Sequence, residues 1–139
     1  MDFLQTNGQL PLMTNKNFIE FETKVTKAVF PGTTNHYNTL FGGTALKWMD
    51  EVAFICATRL SRKKVVTIST DKIDFKKPIP SGHIVELVAN VKKVGNSSAS
   101  ILVEIYTESM YEETRELAVS GEFVFVALDE NKKPISILN

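Results

Sequence analysis

Two hydrophobic periods divide the chain. Over residues 20–30, EFETKVTKAVF alternates apolar and polar side chains and is rich in Val, Thr and Phe, which predicts a strand. The polar PGTTNHYN that follows reads as a loop. Residues 44–60 contain no Gly or Pro and run the length of a good helix. After the SRKK turn the period returns to two. Residues 65–75, 84–94, 99–108 and 116–128 are β-branched and often alternating, so each predicts a strand. Short connections between the last three predict an antiparallel meander. The expected fold is α+β, an antiparallel sheet of about five strands with one dominant helix. Residues 1–16 carry Asn-Gly, Pro and scattered polar groups and are expected to form a flexible or peripherally packed segment. Residues 17–139 are expected to form a single domain.

On a wheel of about 100° per residue, Thr44, Lys47, Glu51 and Thr58 gather into a narrow polar stripe. Apolar side chains from Ala45 to Leu60, Trp48 and Met49 among them, fill most of the remaining circumference. Such a helix is expected to be wrapped by other structure on most sides, as a curved sheet folded around it would do. Asp50 lies outside the polar stripe, between Leu46 and Ala57 on one side and Phe54 on the other. Either it is a boundary residue that reaches water or an i±4 partner, or it is held beside an apolar pocket for chemistry. Burying an unpaired carboxylate is expensive, so a less exposed Asp needs partners or a function.

Gly42 and Gly43 immediately precede the predicted helix. The first helical turn leaves amides without intrahelical partners, and glycine lets a ligand approach them closely. Such amides can bind a developing oxyanion. An ordinary loop-to-helix junction with a cap at Thr44 explains the same pair. A phosphate loop is excluded, because G-x-x-x-x-G-K-[ST] is absent.

Composition narrows the classes. The 16 basic and 16 acidic residues cancel, which argues against nucleic-acid binding by bulk charge. No apolar run reaches the length of a membrane span, and the opening MDFLQTNGQLPLMTNK lacks the pattern of a secretory signal. The single cysteine, Cys56, falls on the apolar side of the helix and reads as a core residue; a reducing, cytoplasmic setting fits it. Arg59, Arg62, Lys63 and Lys64 cluster at the helix end, either to hold phosphate groups or to complement the helix C-terminus. Asp71 and Asp74 are opposite in strand parity and are expected on different faces, whereas Thr67 and Asp71 are expected to share one. His36 and His83 form no metal pattern, and no serine stands in G-x-S-x-G.

The combined motifs are more specific than their parts. They are P-x-x-x-N-x-x-x-x-x-FGG from Pro31 to Gly43, the helix with Met49-Asp50-Glu51, T-x-x-x-D-x-x-x-F-x-x-P-x-x-x-G from Thr67 to Gly82, and VFVALDENKKP from Val124 to Pro134. In this order the chain resembles the hotdog-fold acyl-CoA thioesterases, in their cytosolic acyl-CoA hydrolase branch. The resemblance implies a hotdog domain that hydrolyses fatty acyl-CoA. Its catalytic aspartate falls on Asp50, its catalytic asparagine on Asn35, and its oxyanion-binding amide on or near Gly43. Gly42, Phe41, Thr67, Arg62, Lys63 and Lys64 are the expected substrate contacts. No metal or organic cofactor is expected, since coenzyme A is part of the substrate. A homodimer is implied, assembled as a trimer of dimers, with Asn35 of one subunit facing Asp50 of the other. Asn38 departs from the family pattern, standing where many relatives have glycine, and Thr39 and His83 also depart. Two rival functions are a non-catalytic acyl-CoA-binding module and an enoyl-CoA hydratase.

Overall fold

The computed structural model describes residues 15–138. The segment expected to be peripheral, residues 1–16, lies outside the described residues except for its last two positions, which open a 3₁₀ turn, Asn15–Phe21. Five strands follow: β1 (Thr23–Ala28), β2 (Lys64–Phe75), β3 (His83–Val94), β4 (Ser98–Ser109) and β5 (Glu116–Leu128). They pair antiparallel in one sheet of order β1-β3-β4-β5-β2. The expected meander is β3-β4-β5. One α-helix among the described residues, α1 (Gly42–Ser61), is inserted between β1 and β2 and packs against all five strands.

Period two explains the sheet side of the core. On β4, Ile101, Val103 and Ile105 are fully buried, and on β5 Phe123, Phe125 and Ala127 are equally so. The helix answers with Ala45, Met49, Val52, Ala53, Cys56, Ala57 and Leu60, a stripe at helical spacing. The first strand is shorter than its alternation predicts. Glu20 and Phe21 belong to the 3₁₀ turn, which delivers Phe18 to the core before β1 begins.

The helix also differs from its expected shape in two ways. It starts at Gly42, so the glycine pair forms its first turn and does not precede it. Its apolar face is not wrapped on most sides within one chain. Phe54 and Ile55 remain exposed, and Trp48 and Leu46 are only half-buried against the core.

β2 is an edge strand with ten of its twelve residues exposed. Two bulges interrupt it, between Thr67 and Ser69 and between Asp71 and Asp74, where Lys72 takes φ +52°. These bulges overturn both parity expectations. Thr67 opposes Phe125 on the core side, while Asp71 and Asp74 oppose Glu122 and Ser120 and so share the outer face. Val66, Ile68 and Phe75 of this edge join Phe54 and Ile55 as exposed large apolar side chains.

Candidate active site

The helix start and the loop before it are built together. Asn35 Oδ1 accepts the Tyr37 amide at 2.9 Å, the Thr39 amide at 3.2 Å and the Thr39 hydroxyl at 3.1 Å. Its backbone closes the same turn through Asn35 N–H to Thr39 O and Asn38 N–H to Asn35 O. Asn38 sits at φ +59°, a left-handed conformation that Asn tolerates better than other side chains, which accounts for a non-glycine residue there. With its oxygen committed to the loop, the Asn35 amide NH₂ is the part left to face outward. His36 and Tyr37 are exposed on the same loop, their rings 4.2 Å apart.

Phe41 is the N-cap of α1 and supplies no side-chain acceptor. The first helical bond runs from Ala45 N–H to Phe41 O at 2.9 Å. The amides of Gly42, Gly43 and Thr44 therefore point out of the helix start without an intrahelical acceptor, at the positive end of the dipole. Gly43 is exposed, and a Cβ there would meet nothing within 4 Å.

Asp50 lies two turns further on, next to fully buried Met49. It is half-buried, and its Oδ1 accepts a 2.8 Å hydrogen bond from Thr67 Oγ1. The bulge after Thr67 keeps that hydroxyl on the helix side of β2. Both residues line a cavity of about 510 Å³ whose apolar wall is Val25, Trp48, Val52, Phe54 and Ile55. Lys27 and Glu51 complete it, with Lys27 Nζ 5.0 Å from the centre of the Trp48 ring. Trp48 lines the cavity and also packs, half-buried, against the core.

Asn35 and the helix start are not among the residues that line this cavity. Within one chain, then, the structure brings Asp50 and Thr67 together but leaves Asn35 and Gly43 apart from them.

Arg62, Lys63 and Lys64 line a second cavity, of about 670 Å³, with Phe54 and Val65. Phe54 borders both cavities and so stands at the junction between them. Reading the sequence alone did not single out that junction. Arg62 closes the helix as a left-handed C-cap, and the Lys63 ammonium donates to Ser136 O. Arg59 takes no part, because its guanidinium reaches back to Thr23 Oγ1 at 3.2 Å. Cys56 is a core residue; burial pushes its thiol up to about 12. No group of three or more potential metal ligands occurs among the described residues.

The model of the thioesterase superfamily matches residues 37–114. The chain belongs to that superfamily. It is 43% identical, over 118 residues, to the uncharacterized acyl-CoA thioester hydrolase YkhA of Bacillus subtilis, a match covering 84% of this chain and 69% of that one. The acyl-CoA hydrolase of Staphylococcus aureus, solved with butyryl-CoA and coenzyme A, superposes with a TM-score of 0.83 at 38% identity over 91% of this chain and 76% of that one. The hexameric thioesterase of Yersinia pestis superposes at 0.76 with 30% identity over 83% of this chain and 93% of its own. The one-helix, five-strand arrangement is therefore the hotdog fold of the acyl-CoA hydrolases.

The staphylococcal hydrolase has also been solved with alanine replacing one asparagine, one aspartate and one threonine, spaced fifteen and then seventeen residues apart. Asn35, Asp50 and Thr67 stand in the same order at the same two intervals.

Proposed function

We propose that this superfamily member is an acyl-CoA thioesterase, hydrolysing fatty acyl-CoA to the free acid and coenzyme A. The observation that carries the reading is the Asp50–Thr67 pair at the edge of an apolar cavity. Thr67 occupies Oδ1 and fixes the carboxylate plane, and Oδ2 then takes a proton from water. The water oxygen attacks the thioester carbonyl carbon. Charge developing on the carbonyl oxygen falls on the helix-start amides around Gly43, with the Asn35 NH₂ orienting the water or the carbonyl. The tetrahedral adduct collapses, the C–S bond breaks, and coenzyme A leaves as the thiolate, taking up the proton from Asp50 and so restoring the carboxylate. No metal or organic cofactor enters this chemistry. Single turnover in isotope-labelled water tests for direct carboxylate attack, which would place the label in Asp50 where water opens the mixed anhydride at the Asp50 carbon.

One chain cannot supply all these groups to one carbonyl. Seven residues of helix separate Gly43 from Asp50, about 10 Å of axial rise. An amide on the oxyanion and a base on the attacking water must instead lie within roughly 6 Å of each other. A second copy resolves this by setting its Asn35 loop and helix start against Asp50 of the first. The uncovered β2 edge and the exposed Phe54, Ile55 and Ile68 give the contact an apolar basis. A homodimer, further assembled as a trimer of dimers, is part of the proposal, and the hexameric Yersinia relative supports it.

The coenzyme A phosphates are assigned to Arg62, Lys63 and Lys64. Asp50 and Arg62 are separated by about 18 Å of helix, a span of the order of an extended pantetheine arm, and the two cavities join at Phe54 along it. A cytoplasmic setting belongs to the same proposal and rests on the free thiol of Cys56. No helix among the described residues is long and apolar enough to cross a membrane.

The test is thiol release from acyl-CoA by wild type and Asp50→Asn. Loss of about a hundred- to ten-thousand-fold in the folded variant supports the assignment. Equal turnover removes Asp50 from the mechanism. Tight acyl-CoA binding without hydrolysis by wild type establishes a binding module instead.

A further inference from the structure

A third cavity, of about 240 Å³, lies beneath the first turn of α1. Leu40, Ala45, Phe75, Pro78, Ile79 and Val119 give it an apolar lining, which Lys76 and Lys77 complete. It begins beside the amides assigned to the carbonyl, for Phe75 Cζ lies 3.5 Å from where a Cβ on Gly42 would stand. If the thioester oxygen rests on those amides, the acyl chain attached to the same carbon has this apolar space next to it.

Beyond these lining residues, Ile73, Gly121 and Met49 pack together as a wall. Gly121 is buried on β5, and a Cβ there would collide with Ile73 Cδ1 and lie 3.3 Å from Met49 Cε. The missing side chain leaves a gap in the sheet, and the Lys72 bulge turns Ile73 into it. Each member of this wall is one structural repeat from a cavity-lining residue. Ile73 is two positions before Phe75 on β2, Gly121 two after Val119 on β5, and Met49 one turn after Ala45 on α1. Ile73, Gly121 and Met49 are thus the next layer of the same space, already filled.

We propose that Ile73 is a specificity-determining residue that sets the depth of the acyl-chain site and so the longest chain turned over efficiently. This inference rests on the acyl-CoA hydrolase reading. Its chemistry is steric: a methylene that does not fit is rejected about ten- to two-hundred-fold, so removing a wall side chain admits a longer chain.

The experiment compares wild type, Ile73→Val and Ile73→Ala on a series of acyl-CoA substrates from butyryl to palmitoyl. The readout is the ratio of kcat/KM for each longer substrate to that for butyryl-CoA within the same protein, which cancels any general loss of activity. The ratio is expected to rise in the order wild type, Val, Ala, by at least about tenfold in Ile73→Ala. Should Ile73→Ala not fold, the smaller change in Ile73→Val carries the same sign. An unmoved or falling ratio in a folded variant, with wild type active, overturns the role of Ile73 and leaves the hydrolase reading intact. Wild type inert on the whole series overturns that reading and this inference with it.

Discussion

Thr67 donates a 2.8 Å hydrogen bond to Asp50 at the lining of the apolar cavity, joining an edge strand to the central helix. Only one carboxylate oxygen is engaged by this bond. Thr67→Val keeps the side-chain shape and removes the donor. A hydrogen bond to a charged group contributes about 1.5–3 kcal/mol, and partial exposure here favours the low end. The expected result is a fall in kcat on the order of tenfold, with KM nearly unchanged and Thr67→Ser restoring most of the rate. Steady-state kinetics on the three proteins checks it. A fall confined to KM would make Thr67 a substrate contact and not a holder of the base.

Asn35 carries two separable groups, one engaged in the loop and one proposed to meet the substrate. Its Oδ1 accepts three hydrogen bonds that shape the loop, and its NH₂ is the group assigned to the substrate. Asn35→Ala is therefore expected to lose both activity and loop order, with about 1–2 kcal/mol of stability. Asn35→Asp retains the acceptor, removes the donor and adds a negative charge. It is expected to melt near wild type while turnover falls at least tenfold. Thermal melts and thiol-release rates on both variants check this. An Asn35→Asp enzyme with wild-type rates would confine Asn35 to building the loop.

Much of this was legible because it rests on local pattern. Glu116–Leu128 is rich in β-branched and aromatic residues and forms β5 between the bounds that this pattern predicts. Asp50 stands out on the wheel because its neighbours there are apolar, and the cavity beside it is apolar for the same reason. The faces of Asp71 and Thr67 were not legible. They depend on bulges in β2, and the second bulge depends on a gap at Gly121 on another strand, far along the chain. No count of alternation within 65–75 contains that information. The exposure of Phe54 and Ile55 was equally hidden, because an apolar wheel cannot say whether its cover comes from the same chain or another.

Burial of Cys56 makes a pH prediction. In the folded protein burial raises its thiol from 9.0 to about 12, with the Thr23 hydrogen bond and Arg59 opposing the shift. On unfolding the thiol is exposed and ionises near its ordinary value of about 8.5. Between the two, the unfolded chain has released a proton that the folded chain retains. The contribution is therefore full below about pH 8.5 and falls as pH rises, by roughly 1.4 kcal/mol per unit, until the folded thiol ionises. Chemical denaturation between about pH 7 and pH 10.5 should show wild type losing about 2 kcal/mol or more beyond what Cys56→Ala loses. Parallel profiles would mean that the thiol ionises equally well in the folded state.

The proposed sharing of one site between two subunits makes the most discriminating prediction, because it asks two dead proteins to rescue each other. Asp50→Asn and Asn35→Asp are each expected to be inactive as homo-oligomers. In a mixed dimer, the Asn35 loop of the first variant faces the intact Asp50 of the second, while the other site carries both lesions. Random pairing gives half mixed dimers with one working site each, so co-expression is expected to restore about a quarter of wild-type activity. If Asn35 and Asp50 act within one chain, no mixture contains an intact site and the rate stays at the level of the single variants. Tagging each variant differently and purifying through both tags before assay isolates the mixed oligomers. Their specific activity then reports whether the carboxylate and the asparagine belong to different subunits of one site.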